Sequence, residues 1–125
     1  MTQATRDFGS RSENRAVAFL ERKGFRILTR NYRSPSGEID IVALDGKTVV
    51  FIEVKARRGE TFGGPETAVD DRKQRRISRA ALTYLSARRA LDRSCRFDIL
   101  SIRETSAQAV QIDHIQNAFN ARLEH

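Results

Sequence analysis

Apolar residues recur along the chain with two different periods, and the switches between them mark out the elements. Ala16, Val17 and Leu20 return at helical spacing. Ser10 with Glu13 three residues on has the form of a capping box. The first helix is therefore predicted to open at Ser10 and run to Lys23, with Gly24 as its C-terminal stop. Period two then takes over. Phe25–Asn31 reads as a strand, Arg33–Gly37 as a loop and Ile39–Leu44 as a second strand. Asp45-Gly46 is a two-residue hairpin signal. Thr48–Lys55 follows as a third strand, and its Val49-Val50-Phe51-Ile52 run suits a central position in a sheet. Arg58–Pro65, with Gly59, Gly63 and Gly64, reads as a loop. A second helix is predicted over 68–90, with Ile77, Ala81, Tyr84 and Leu85 on its buried side. Phe97–Ile102 and Val110–Ile115 complete the set. The order αβββαββ implies an α/β fold in which a meander and a helical crossover make a mixed sheet flanked by helices. Residues 1–9 read as a flexible tail and 10–120 as a single domain. Leu123-Glu124-His125 has the look of a purification-tag remnant and is set aside.

Charged residues interrupt the second and third strands, which otherwise want to be buried. With Asp45-Gly46 as the turn, Leu44 faces Lys47, Asp40 faces Phe51 and Glu38 faces Glu53. Side chains alternate across a strand. Glu38, Asp40, Glu53 and Lys55 then leave one face, and Ile39, Ile41, Val50, Ile52 and Val54 the other. Asp40 and Glu53 become diagonal neighbours, roughly 7–8 Å apart at the backbone. Two carboxylates at that spacing repel each other unless a cation lies between them. A hard ion such as Mg²⁺ prefers carboxylate oxygens and water, lowers the pKa of its water and polarises a phosphoryl oxygen. Lys55, two residues from Glu53, is placed to steady an attacking hydroxide or a phosphate. The plainer alternative is a half-exposed hairpin whose acids pair with Lys47, Lys55 and Arg57.

Composition narrows the field. Among 125 residues, Lys and Arg number 23 against 16 Asp and Glu, a formal net charge of +7. Such an excess attracts polyanions, nucleic acid above all. No apolar run is long enough to span a membrane, and the N-terminus lacks a signal-peptide pattern. A lone Cys95 cannot form an internal disulfide, which fits a reducing cytoplasm. With His125 set aside, His114 alone remains, too little for a histidine dyad or a zinc cluster. On an apolar strand beside Asp113, it is expected to be structural or paired with an aspartate. Asp98, at a strand start, is expected to pair with a basic side chain.

Four segments together resemble the PD-(D/E)XK nuclease superfamily, and more closely the bacterial YraN-like family of predicted endonucleases within it. They are Gly37-Glu38-Ile39-Asp40, Phe51-Ile52-Glu53-Val54-Lys55-Ala56-Arg57, Arg96-Phe97-Asp98 and Asn117-Ala118-Phe119. Arg30-Asn31-Tyr32-Arg33 also fits, and the match covers residues 10–120. The resemblance implies a restriction-endonuclease-like fold and Mg²⁺- or Mn²⁺-dependent hydrolysis of DNA phosphodiesters, with branched or recombination intermediates as candidate substrates. It implies that Asp40 and Glu53 ligate the ion, that Lys55 assists, and that Glu13 on the first helix completes the metal site. Ile39-Asp40 stands where the superfamily name has Pro-Asp. Members of such folds also lose catalysis and keep the scaffold. A non-catalytic nucleic-acid-binding module, or a recombination or repair partner, is therefore the alternative.

Arg72, Arg75, Arg76 and Arg79 follow i, i+3, i+4, i+7 on the second helix and form one stripe. Lys73 falls between that stripe and the core, in line with Ile77. Arg57 and Arg58 emerge just beyond Lys55. These residues are candidate phosphate contacts, which position a nucleic acid without reading its sequence. No aromatic ladder suggests single-strand stacking. A homodimer would let two sites act on two strands, and no interface for it is legible.

Overall fold

The structure, a computed structural model, describes residues 2–59, 69–105 and 109–123. The expected loop around Gly63-Gly64-Pro65, the expected helix start at Ala68, and the Glu124-His125 end of the tag-like segment lie outside those residues. The elements run α1 (Gln3–Arg22), β1 (Arg26–Ser34), β2 (Gly37–Asp45), β3 (Thr48–Arg58), α2 (Asp71–Ala87), β4 (Cys95–Glu104) and β5 (Val110–Phe119). The expected order αβββαββ is the order found. The five strands form one sheet in the order β1-β2-β3-β4-β5, with β3 and β4 parallel and the other pairs antiparallel.

The helices cover opposite faces. Ala16 and Leu20 of α1 pack with Phe25, Ile41, Val50, Ile52 and Leu100. Ile77, Ala81, Tyr84 and Leu85 of α2 pack with Ile39, Val42, Phe51, Phe97 and Ile99. This α/β/α layering is consistent with a restriction-endonuclease-like fold, and it explains the apolar density of β3: a central strand buried on both faces cannot alternate with polar residues.

The strands run longer than expected, to Ser34, Arg58 and Phe119, so only Pro35-Ser36 of the expected Arg33–Gly37 loop lies between strands. Three further boundary expectations are corrected. The first helix opens at Gln3 rather than Ser10, so residues 3–9 are helical rather than a loose tail. Gln3 donates to Asp7 one turn on, Arg6 N donates to Thr2 O, and the guanidinium of Arg58 lies 4.6 Å over the Phe8 ring. Those contacts outweigh the capping box, whose Ser10 lies inside the helix. Its other end matches the expectation: Gly24 has φ 92°, and Phe25 N donates to Leu20 O at 2.9 Å in a Schellman stop. At the other helix, Asp70 caps the N-terminus by accepting from Lys73 N at 2.8 Å, and the C-terminus comes at Ala87 rather than Ala90. The stop again has Schellman geometry, but with Arg89 at φ 54° in the place usually held by glycine. Finally, Asp45 pairs with Thr48 and Leu44 with Val49, so the hairpin turns on Gly46-Lys47. Gly46 has φ 60°, and a two-residue hairpin with a positive φ at its first central position needs glycine there.

Away from the carboxylate pair of the hairpin, the start of β4 holds a closed polar network. The Asp98 side chain is fully buried. It accepts from Arg96 Nε at 3.0 Å, from His114 Nε2 at 2.8 Å and from Asn117 N at 2.9 Å. Lys23 Nζ lies 2.7 Å from His114 Nδ1. An ammonium can only donate, so Nδ1 accepts and the ring carries its proton on Nε2, facing Asp98. Burial alone would raise the Asp98 pKa; the hydrogen bonds from His114 and Arg96 outweigh it and hold the group below its usual range. A bulge in β5 around Asn117, φ 53°, brings that amide to the carboxylate. Both expectations for these residues, a basic partner for Asp98 and an aspartate for His114, are met. Replacing Asp98 by Ala leaves Arg96, His114 and the Asn117 amide without their shared acceptor. The expected loss is about 3–5 kcal/mol of unfolding free energy, read from urea denaturation at neutral pH.

Candidate metal and phosphate site

The β2–β3 ladder ends at Ile41 opposite Ile52. Asp40 and Glu53 are the next residues on each strand, directly across from one another rather than diagonal as expected. The two-residue change of register preserves the faces, because side chains alternate with period two. Beyond this point the Asp40 side chain serves β3 in place of its backbone: Oδ2 accepts from Val54 N at 2.8 Å.

The face assignment needs one further correction. Ile39 packs against α2, whereas Ile41 packs against α1. The two were expected on the same face. β2 therefore reverses at Asp40, and β1 reverses beside it. Asn31 is in the left-handed region with φ 54°; the Arg30 side chain reaches α1, while the Tyr32 ring meets Tyr84 of α2. Asp40 at this reversal borders two hollows. One, about 250 Å³, is also lined by Gly37, Glu53, Lys73 and Arg76. The other, about 160 Å³, is lined by Ser12, Glu13, Val54 and Ala56.

The first hollow holds the expected carboxylate pair. Glu53 is 9% exposed. Burial first, and then the neighbouring Glu53 carboxylate, push the Asp40 pKa from 3.8 up to about 7, against the opposing pull of the Val54 amide and of Lys73. The ammonium that reaches Glu53 is that of Lys73, whose Nζ forms an ion pair with Oε1. Lys55 is half-buried and leaves β3 on the same side as Glu53, one pleat farther along. Gly37 lets β2 start close to α2: a Cβ there would stand 3.2 Å from Arg76 O and 3.3 Å from Arg76 Cβ.

The other expected residues are more dispersed. Glu13 accepts from Arg30 Nε and from Asn31 Nδ2, each at 2.9 Å. It shares the second hollow with Asp40, and among the described residues no three His, Cys, Asp or Glu side chains form a metal-holding group. Arg76 borders the first hollow, and Arg72 and Arg79 are exposed on the same helix stripe, with Arg75 half-buried. Arg57 is exposed at the end of β3, and Arg58 is turned toward Phe8 of α1. Two participants escaped the sequence reading. Lys73 was expected as a phosphate contact and stands on the carboxylate; its signal was the four-residue spacing to Ile77. Ser12, 2% exposed, has its Oγ buried with no hydrogen-bond partner among the described residues and lines the hollow of Glu13 and Asp40. Its signal was the spacing to Ala16.

These features suit a hard divalent cation. Two carboxylates in contact require a proton or a cation, and an orphaned hydroxyl borders the same aspartate from the other side. The profile of the Uncharacterised protein family UPF0102 matches residues 12–102. The chain belongs to this family, the one to which the YraN-like resemblance pointed. It is 52% identical over 119 residues to a UPF0102 protein of Geobacter metallireducens, covering 95% of this chain and 97% of that one. A Moorella thermoacetica relative is 45% identical over 120 residues, covering 95% and 100%. A Desulfosudis oleivorans relative is 41% identical over 123 residues, covering 98% of each. The similarity of this UPF0102 chain to its relatives thus runs through both carboxylate strands and both helices. None of the described helices is long and apolar enough to cross a membrane.

A raised Asp40 pKa has a sign that can be measured. In the unfolded chain Asp40 loses its proton near 3.8, and in the folded metal-free protein near 7. Folding stability from this group is therefore present below about pH 4 and is lost as pH rises to about 7. Asp40→Asn keeps an acceptor for the Val54 amide and removes the charge. The variant is expected to match the wild type near pH 4 and to exceed it at pH 8 by about 2–4 kcal/mol in chelator-containing buffer, as read by denaturant titration.

Proposed function

We propose that this UPF0102 protein is a divalent-metal-dependent endonuclease acting on DNA, with branched or recombining structures among its substrates. What supports this most is the meeting of Asp40 and Glu53 at the fork of β2 and β3, in a hollow bordered by Arg76 of the arginine-rich α2. Asp40 and Glu53 would hold Mg²⁺ or Mn²⁺, and Glu13, which shares the second hollow with Asp40, would be the candidate third ligand. When bound, such an ion stabilises the negative charge that develops on the phosphoryl group and acidifies a water molecule. Lys55 steadies the attacking oxygen or a non-bridging phosphate oxygen. Arg76 and its stripe neighbours Arg72, Arg75 and Arg79, with Arg57, hold the flanking phosphates. None of these contacts reads base identity, so substrate choice follows nucleic-acid shape. A homodimer would present two such sites to two strands.

One observation favours a second reading. Lys73 already neutralises Glu53, as it would in a nucleic-acid-binding module that kept the fold without catalysis. The two readings separate in one experiment. Purified protein with Mg²⁺ or Mn²⁺ is tested against duplex, nicked, flap and four-way DNA. The nuclease predicts ion-dependent cutting that falls to background in Asp40→Ala and Glu53→Ala. Lys55→Ala slows cutting while leaving Mn²⁺ binding intact. The binding module predicts ion-independent, salt-sensitive binding, unchanged in Glu53→Gln. In either case Arg72→Ala and Arg76→Ala weaken DNA binding, each lowering the slope of log affinity against log salt by about one. Cutting that persists in the carboxylate variants identifies a contaminant and removes the assignment.

A further inference from the structure

A lysine on a buried carboxylate in a metal site needs an explanation, because an ammonium and a divalent cation compete for the same oxygen. We propose that Lys73 is a tethered counter-cation: it neutralises Glu53 in the metal-free protein and gives up that carboxylate to an incoming divalent ion. The released ammonium then takes a phosphate of the nucleic acid at the mouth of the hollow. This rests on Asp40 and Glu53 being the ion's ligands.

Three features carry it. Glu53 is 9% exposed, and burying a lone carboxylate costs several kcal/mol. Within the Asp40–Glu53 pair that cost falls on both acids, and the Lys73 charge lowers it for both. Second, Lys73 is anchored at its backbone and loose at its tip. Its N–H donates to the Asp70 cap at 2.8 Å, which fixes the first turn of α2, while its side chain stays 42% exposed. A flexible four-carbon stem carrying a compact point charge can change partners without moving the helix. Third, the same hollow is bordered by Arg76, so the ammonium leaves Glu53 for a region that already attracts phosphate. A divalent ion brings two charges where the ammonium brought one, so it can answer both acids of the pair. An ion entering the acid pair displaces one ammonium, and that ammonium meets the substrate anion that follows.

The sign of the effect separates this from simpler roles. A purely structural ion pair would lower stability on removal and leave ion affinity untouched. A fixed phosphate grip would change neither in the absence of nucleic acid. A tethered competitor, once removed, makes the divalent ion bind more tightly.

The experiment is calorimetric titration of Mn²⁺ into wild type, Lys73→Met and Asp40→Asn, with thermal unfolding of each in chelator and in saturating Mn²⁺. Lys73→Met is expected to bind Mn²⁺ about tenfold more tightly than wild type. It is expected to melt lower than wild type in chelator and to recover that difference in saturating Mn²⁺. Lys73→Gln, which keeps a donor for Glu53 without the charge, repeats the measurement should the methionine variant fail to fold. Wild-type or weaker Mn²⁺ affinity in a folded Lys73 variant overturns the proposal while leaving the ligand assignment standing. Mn²⁺ binding that is absent in wild type and Lys73 variants alike, or unaffected by Asp40→Asn, overturns the ligand assignment itself and the proposal with it.

Discussion

The chain's chemistry depends on two carboxylates being forced together where two strands part. In a regular antiparallel ladder, Asp40 and Glu53 would sit across from each other with the backbones of both strands paired on either side of them. Here β2 reverses its faces at Asp40, and the Asp40 side chain takes the Val54 amide that a continuing ladder would have used. That hydrogen bond pins one carboxylate against the other. The β1–β2 sheet edge follows the same distortion, with Asn31 in a left-handed conformation and its side-chain Nδ2 donating to Glu13. A helix residue, an edge-strand residue and the fork between central strands are thereby coupled through backbone geometry. The fold holds like charges together because the surrounding sheet leaves them nowhere else to go.

The two acidic centres show what the scaffold does with a buried charge when it can and cannot complete its partners. Asp98 receives hydrogen bonds from a guanidinium, an imidazole and an amide, and its pKa falls despite burial. Asp40 has one amide and an acidic neighbour, and its pKa rises to about 7. Closed networks of the first kind rigidify a core. Incomplete ones of the second kind are where proteins bind ions and protons. Both lie on the same small sheet, at the start of β4 and where the start of β2 faces the middle of β3, so the rigid centre can support the reactive one without sharing its charge.

Strand and helix types were legible because each has a strong period: the unbroken Val49–Ile52 run marks a strand buried on both faces, and Ile77, Ala81 and Leu85 mark a helix face. What failed was local and had a physical reason each time. The capping box at Ser10 is a short-range preference worth about 1 kcal/mol, and it gives way to a longer helix held by Phe8 and Arg58. The end of α2 carries no glycine, because Arg89 takes the left-handed position itself. Asp45-Gly46 announces a turn but not which residue occupies its first central position. That error shifted the register by two, an even number, and so left the carboxylates on the same side of the hairpin. The face reversal at Asp40 has no compositional signature, since nothing in Glu38-Ile39-Asp40-Ile41 distinguishes a strand that alternates from one that turns over. Asp40 and Glu53 were therefore readable as a pair, while the Lys73 contact and the unpartnered Ser12 hydroxyl needed the packed helices to become visible.

Charge distribution connects the site to the whole molecule. A net charge of +7 on 125 residues opposes compaction unless the excess is spread or neutralised. Part of it is neutralised internally: Arg11 and Arg15 meet at Glu104, Arg30 meets Glu13, and Arg96 meets Asp45 and Asp98. The stripe on α2 is different, because exposed Arg72, Arg76 and Arg79 follow one another at helical spacing. Like charges so arranged repel modestly in water and more strongly beside a low-dielectric sheet. The acid pair beneath the helix is answered by Lys73, which lies beside that stripe and is not part of it. The remaining field points outward from the rim of the hollow, where, under the proposed function, it would draw polyanions toward the carboxylates. A cation between those carboxylates would raise the positive potential further, so under the proposed function ion and phosphate chain would favour each other's arrival, with the Lys73 ion pair as the protein contact that gives way.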